Sequence, residues 1–252
     1  MPVSACGVSP GDHPRFAAII TAAGSSSRMG GLKKEYCPLP EKFDHKGKAL
    51  SVLGGAFLTF AGIGEIGCLV IAIPPGDELA AGAALPARAS DPLLVPGGSS
   101  RRASVHNALN ALAAFAPDYV LIHDGARPWV DAVLIRRVME AVMVYKAVVP
   151  LVPLTETPKE VDRMPEAALA GPAPLVKGHL RRSQIGAAQT PQAFAYPAIL
   201  RAHEKAALRE KEEGVDYTDD AEIWGEFQGK VAAVAGSTEN RKITFPEDLG
   251  QR

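Results

Sequence analysis

The sequence has only three cysteines, Cys6, Cys37 and Cys68, and no CxxC spacing. They cannot all pair, so a disulfide framework is excluded and a reducing compartment is expected. An excess of either charge is also missing: 27 Lys and Arg against 28 Asp and Glu leave a formal net charge of −1. With no basic field to attract nucleic acid, any charge-based function must be local. No apolar run approaches the length that spans a bilayer, and the start, "MPVSACGVSPGDHPRF", lacks the apolar stretch of a secretory leader. A cytoplasmic location is therefore expected, with residues 1–14 as a disordered tail rich in Gly, Pro and Ser. The chain has neither the GxGxxG dinucleotide fingerprint nor the GxxxxGK[ST] phosphate loop, and its histidines show no HxxxH metal spacing. No Ser/His/Asp or Cys/His arrangement can be argued from spacing.

What is present is a globular composition, 47% hydrophobic and 22% charged over 252 residues, enough for one substantial core. Apolar runs that suit buried strands recur at "FAAIIT" (16–21), "GCLVIAI" (67–73), "PLLV" (92–95), "YVLIH" (119–123), "AVVPLV" (147–152) and "KVAAVAG" (230–236). Segments with helical spacing lie at 51–63, at 101–115 with Val105, Leu109 and Leu112 on one face, at 131–145, and at 196–214, closed by Gly214. Alternating strands and helices predict an α/β fold, a mostly parallel sheet with helices on both faces, in a single domain from residue 15 to 252. Strands apolar throughout fit a sheet covered on both sides. Residues 155–180 carry four prolines and several charges and are too long for an ordinary connection, so an excursion such as an arm, hairpin or loop is expected there.

In open parallel sheets ligands bind beyond the carboxyl ends of the strands. After the first strand comes "AAGSSSRMGGLKKEY", where small residues let the backbone approach a phosphate and Arg28 and Lys34 can neutralise it. After the third comes "PGGSSRRASV", where Gly97 and Gly98 free the backbone before a helix and Ser104 faces the same end. After the fourth comes "HDGARP", with Asp124 a candidate Mg²⁺ ligand and Arg127 a candidate anion contact. Thr190 sits before a proline in the polar loop "AAQTPQAF", and Lys242 is expected at the start of a short strand. Each motif has a plain structural alternative: a solvated Gly/Ser turn, a capping serine, an Asp–Arg ion pair. His123 reads as structural rather than catalytic.

The ordered set "AAGSSSRM", "KKEY", "GGSSRRASV", "HDGARP", "AAQTPQAF", "TDDAE" and "NRKITFPEDL" resembles the bacterial and plastid 2-C-methyl-D-erythritol 4-phosphate cytidylyltransferases of non-mevalonate isoprenoid synthesis, from about Phe16 to Leu249. The resemblance implies a Rossmann-like nucleotidyltransferase fold and a reaction in which a polyol phosphate attacks the α-phosphorus of CTP with loss of pyrophosphate. It further implies Mg²⁺ or another divalent cation, and a homodimer. Carried over, Ala22, Ala23 and Gly24 would contact the nucleotide through backbone, while Gly97, Gly98 and Ser104 would read cytosine. Arg28, Lys34 and Lys242 would serve catalysis. Asp124, Arg127 and Thr190 would hold the polyol phosphate, with Asp124 near the metal. The excursion would be a dimerisation arm bringing Thr157 and Arg182 to the partner's site. This chain departs from the family pattern in having Ser26 for the loop's second glycine and Lys33 for a proline. Lys34 is preferred over Lys33 because it directly precedes the Glu35–Tyr36 pair. The competing readings are a ribitol 5-phosphate cytidylyltransferase, which shares the "TPQ" loop and the last lysine motif, and a nucleotide-binding module without turnover.

Overall fold

The structure is a computed structural model that describes residues 14–26, 29–30, 32–44, 47–87, 91–163 and 173–250. The expected tail before Pro14, the Arg28 position and the middle of the 155–180 excursion lie outside these residues. Chain order is β1 (Phe16–Thr21), β2 (Pro38–Phe43), β3 (Ala49–Ser51), α1 (Val52–Ala61), β4 (Ile66–Ile73), α2 (Glu78–Ala84), β5 (Leu93–Pro96), α3 (Arg101–Ala111), β6 (Tyr119–Asp124), α4 (Ala132–Tyr145), β7 (Ala147–Pro153), β8 (Lys159–Val161), β9 (Val176–His179), β10 (Gly186–Ala188), β11 (Gln192–Ala195), α5 (Tyr196–Glu213), α6 (Asp220–Phe227) and β12 (Ala232–Ala235).

Eight strands form one mixed sheet, ordered β10-β7-β11-β6-β1-β4-β5, with β12 also paired to β7. The pairs β1–β4, β1–β6, β4–β5 and β7–β12 are parallel. The antiparallel contribution comes from β10 and β11, which run against β7 and, for β11, against β6. The sequence reading places β1, β4, β5, β6, β7 and β12 correctly. It treats 187–194 as a polar loop, whereas only the stretch around Thr190 is one and its flanks are strands. The hairpin β8–β9 forms a separate two-stranded sheet within the predicted excursion.

The two faces of the sheet follow from period-2 alternation in buried strands. On β1, Ala17 and Ile19 join Val105, Leu109 and Leu112 of α3, Ile199 of α5 and Trp224 of α6. Phe16, Ala18 and Ile20 face the other way, onto Leu53, Phe57 and Phe60 of α1 and Leu134 and Val138 of α4. Burying each such aromatic or aliphatic side chain contributes about 1.5–3 kcal/mol relative to exposure. Four helices start on side-chain caps, Ser51, Ser100, Asp131 and Asp219, each accepting from a first-turn backbone N–H. As predicted, Gly214 closes α5, at φ 69°, a left-handed conformation that costs glycine little.

The parallel strands all end on the same edge, and a buried polar relay ties that edge together. The Asp124 backbone N–H donates to Thr190 Oγ1 at 3.0 Å. Thr190 Oγ1 lies 3.1 Å from His123 Nδ1, and His123 Nε2 lies 3.1 Å from the Arg127 carbonyl. A neutral His123 carrying its proton on Nε2 satisfies the whole chain: Thr190 donates to Nδ1, and Nε2–H donates to Arg127. His123 is fully buried, and burial pulls its imidazole down to about 4.

An unfolded histidine titrates near 6.5. Between about pH 6.5 and 4 the unfolded chain takes up the proton and the folded chain does not, so stability present at neutral pH falls by about 3 kcal/mol across that window. Urea unfolding in chelator-treated buffer should show this loss, and His123→Gln should flatten it. An unchanged pH slope in the variant would show that His123 does not carry the effect.

Candidate active site

The loops leaving β1, β5 and β6, together with residues 237–244, enclose a half-open cleft of about 490 Å³. That is within the range of small-molecule sites. Its lining includes Ala23, Gly24, Lys34, Arg101, Asp124 and Lys242.

Asp124 sits at the end of β6, with 8% of its surface exposed. Three cations surround its carboxylate. Lys242 Nζ donates to Oδ2 at 2.7 Å, Arg127 Nε lies 3.8 Å from Oδ2, and Arg101 Nη2 lies 3.6 Å from Oδ1. Burial alone would raise the carboxyl, but Arg101, Lys242 and Arg127 outweigh it and hold Asp124 far below the usual carboxylate range. Burial lowers the Arg127 guanidinium against the pull of Asp124. Arg101 goes the other way, because Asp220 and Asp124 outweigh its desolvation.

Each cation is delivered by a different element. Arg101 opens α3. Arg127 follows β6 and is anchored by Nη1 on the Asn240 carbonyl at 2.8 Å. Lys242 precedes Ile243, which is fully buried with Leu39 and Val52 and donates its N–H to the Ala126 carbonyl. That bond joins no ladder, so the strand expected at Lys242 is absent: the buried Ile243 and bonds from Arg127, Gln189 and Asn240 hold the segment instead. Asn240 Nδ2 also donates to the Thr190 carbonyl at 2.7 Å, so Thr190 stands behind Asp124 as a support.

On the opposite wall, Ala23 and Gly24 line the cleft, whereas Ala22 is fully buried and continues the β1–β4 pairing through its N–H to the Ala72 carbonyl. Ser26, at the place of the family's second glycine, has φ 51°. The left-handed conformation normally costs a side chain about 1–2 kcal/mol. Here Ser26 Oγ donates to the buried Glu35 carboxylate at 3.2 Å and accepts from the Lys34 N–H at 3.3 Å, which offsets that strain. Lys33 is tied down: its ammonium pairs with Glu35 at 3.1 Å and donates to the Gly24 carbonyl. Lys34 is the lysine of the pair that lines the cleft.

Gly97 and Gly98 meet a packing constraint. A Cβ on Gly97 would overlap the Cβ of Ala23, and one on Gly98 would overlap that of Ala103. Their N–H groups are already used, by the Ile73 carbonyl and by Ser104 Oγ at 3.0 Å. Ser104 in turn donates to the Ser100 carbonyl at 2.9 Å. Gly98 lines the cleft.

Two candidates lie away from the cleft. Thr157 is exposed near β8, and Arg182 is exposed with Nη1 donating to the Thr155 carbonyl at 2.6 Å. Arg28 is outside the described residues. Sequence reasoning missed Arg101 and its partner Asp220. The signal was there, since Arg101 is in the first turn of a helix at the ligand-binding edge, but "RR" offers two arginines and no rule for choosing. Arg102, about 100° further round the helix, instead pairs with Glu210 at 2.5 Å.

No group of three or more His, Cys, Asp or Glu side chains among the described residues could hold a metal. The acidic residues that line the cleft are Asp124 and Glu35, and Glu35 is paired with Lys33.

The chain matches the family model for 2-C-methyl-D-erythritol 4-phosphate cytidylyltransferase (IspD) over residues 16–251. It is 38% identical over 237 residues to a "bifunctional enzyme IspD/IspF" of Nitrobacter hamburgensis, covering 93% of this chain and 53% of that protein. It is also 38% identical over 237 residues to the 2-C-methyl-D-erythritol 4-phosphate cytidylyltransferase of Cereibacter sphaeroides, with 93% and 94% covered. The chain thus spans about half the length of the bifunctional relatives it matches. Among solved structures, the 4-diphosphocytidyl-2C-methyl-D-erythritol synthase of Anaerococcus prevotii is 29% identical with a TM-score of 0.74, covering 94% of this chain and 93% of that one. The Thermus thermophilus cytidylyltransferase is 28% identical at 0.69, with 93% and 95% covered. By sequence and by fold, this chain belongs to the 2-C-methyl-D-erythritol 4-phosphate cytidylyltransferase family.

Proposed function

We propose that the chain transfers the cytidylyl group of CTP to 2-C-methyl-D-erythritol 4-phosphate, giving 4-diphosphocytidyl-2-C-methyl-D-erythritol and pyrophosphate in non-mevalonate isoprenoid synthesis. One observation carries this reading: every residue that lines the cleft falls within the span of the family match. The acceptor brings its own nucleophile. A phosphate oxygen attacks the α-phosphorus, the bond from that phosphorus to the bridging oxygen breaks, and pyrophosphate leaves with the electron pair. No proton need be removed, so the site requires charge and positioning rather than a general base. A neutral, buried His123 fits that requirement.

Lys34 and Lys242 both line the cleft and neutralise the phosphates as charge shifts to the leaving group, and by resemblance Arg28 joins them. Arg127 and Asp124 hold the acceptor end, with Thr190 fixing the Asp124 backbone. The Gly98 carbonyl is an acceptor for the exocyclic amine of cytosine, a donor that uracil lacks. Mg²⁺, held by Asp124 and substrate phosphate oxygens, would neutralise phosphate charge when bound. A cytoplasmic setting belongs to the same proposal and accords with the free thiols of Cys37 and Cys68. No helix among the described residues is long and apolar enough to cross a membrane.

Pyrophosphate release measures the proposal. CTP with 2-C-methyl-D-erythritol 4-phosphate should turn over far faster than ATP or GTP with the same acceptor. Equal use of purine nucleotides, or preference for ribitol 5-phosphate, would overturn it. Lys34→Ala should lower kcat on the order of a hundredfold with less effect on the KM for CTP. Lys33→Ala should cost far less, because Lys33 is engaged by Glu35 and Gly24. The reverse ranking would transfer the role to Lys33.

A homodimer completes the proposal. Leu175, Val176 and Leu180, on and beside the β8–β9 hairpin, are exposed apolar residues, and Thr157 and Arg182 at its base are exposed and do not line their own cleft. In this reading they serve the partner's site. Lys34→Ala and Arg182→Ala homodimers should then both be nearly inactive. A freely exchanged equal mixture should recover about a quarter of wild-type activity, because half the dimers are mixed and each has one intact site of two. No recovery, with mixed dimers demonstrated, would place Arg182 in its own chain's function.

A further inference from the structure

Behind the cleft wall lies an aspartate with no exposed surface. Asp220 is the first residue of α6, and its Oδ2 lies 2.8 Å from Arg101 Nη2. Its other oxygen, Oδ1, lies 3.1 Å from Nε2 of His203 on α5, which is also fully buried. The same Arg101 nitrogen lies 3.6 Å from Asp124 Oδ1. Four side chains therefore run in line from the interior to the cleft: His203, Asp220, Arg101, Asp124.

A buried ion pair is a poor means of stabilisation, because desolvation of both partners consumes most of the attraction. Asp220 is also not needed as a cap. Asp219 caps α6 by accepting from the Glu222 N–H at 2.8 Å, and Gln192 holds both the Asp219 carboxylate and the Ala221 N–H. Nor is it needed to bind α3 to its neighbours, since Arg102 already pairs with Glu210 of α5. What Asp220 does is fix the direction of Arg101. Paired from behind with Asp220 at 2.8 Å, the Arg101 guanidinium places one nitrogen 3.6 Å from Asp124 Oδ1, while Lys242 donates to Oδ2. Without Arg101 the remaining cations, Lys242 and Arg127, both lie on Oδ2, and Oδ1 loses its cation.

We propose that Arg101 is a positioning residue for cytidylyl transfer, oriented by Asp220 with His203 behind it, and that its function is to fix the Asp124 carboxylate in the plane the reaction needs. The inference rests on the reading of Asp124 as a site residue in the proposed reaction. Small misplacements of reacting groups can cost on the order of a hundredfold in rate.

The test compares Arg101→Gln, Asp220→Asn, the double variant and Arg101→Lys by pyrophosphate release and thermal unfolding, with wild type in parallel. An inactive wild type refutes the proposed reaction itself; the inference is judged on an active one. Each neutralising single variant should lower kcat about ten- to a hundredfold with KM for CTP changed less than about threefold, and should lower Tm because a buried charge is left unpaired. The double variant removes both charges, so its Tm should return toward wild type while kcat stays low. Arg101→Lys keeps the ion pair but not the planar fork, so it should keep its Tm and still lose kcat. A double variant that regains kcat along with Tm, or an Arg101→Lys enzyme with wild-type kcat, would reduce the chain of contacts to a structural staple.

Discussion

The site depends on one carboxylate that cannot stand alone. Asp124 is almost wholly buried, and an ionised carboxylate there is unfavourable without compensation. Arg101, Arg127 and Lys242 supply it from three separate segments, so the charge of one residue draws the β5–α3 loop, the β6 loop and the 237–244 segment to the same point. Three cations around one carboxylate leave net positive charge at the cleft, which suits a ligand rich in phosphate.

The sheet supplies the rigidity this arrangement needs. β6 lies between β1 and β11, with both of its neighbours buried. Thr190, between β10 and β11, accepts from the Asp124 N–H and connects through His123 to the Arg127 carbonyl, so the aspartate's backbone is fixed as firmly as its side chain. Ser26 does the equivalent on the other wall, where its hydroxyl bridges the Glu35 carboxylate and the Lys34 N–H in a conformation that would otherwise favour glycine.

Much of this was legible in the sequence. The run "FAAIIT" coincides with β1 residue for residue, because a fully apolar stretch in a doubly covered sheet has few alternatives. Asp124 and Arg127 could be named because strand ends mark the ligand edge, whereas Lys242 was named only through the resemblance to the family. Other features left weaker traces. β11 begins on Gln192, a polar residue buried by its bonds to Asp219 and Ala221, so alternation did not reveal it. Asp220 looks like one more acidic residue in a helix start, and its ion partner Arg101 is remote in sequence. The Gly98 N–H, a natural candidate for a ligand contact, is spent on Ser104, which only the folded loop discloses.

The central claim is that the Asp124 charge organises the transfer step. Asp124→Asn keeps the shape and removes the charge, so its kcat for pyrophosphate release at saturating CTP and 2-C-methyl-D-erythritol 4-phosphate is the most direct measurement. The account predicts a fall on the order of a hundredfold or more in protein that remains folded by circular dichroism. A folded Asp124→Asn enzyme with kcat within about twofold of wild type, well short of the effect expected for a positioned charge at the reacting centre, would contradict it.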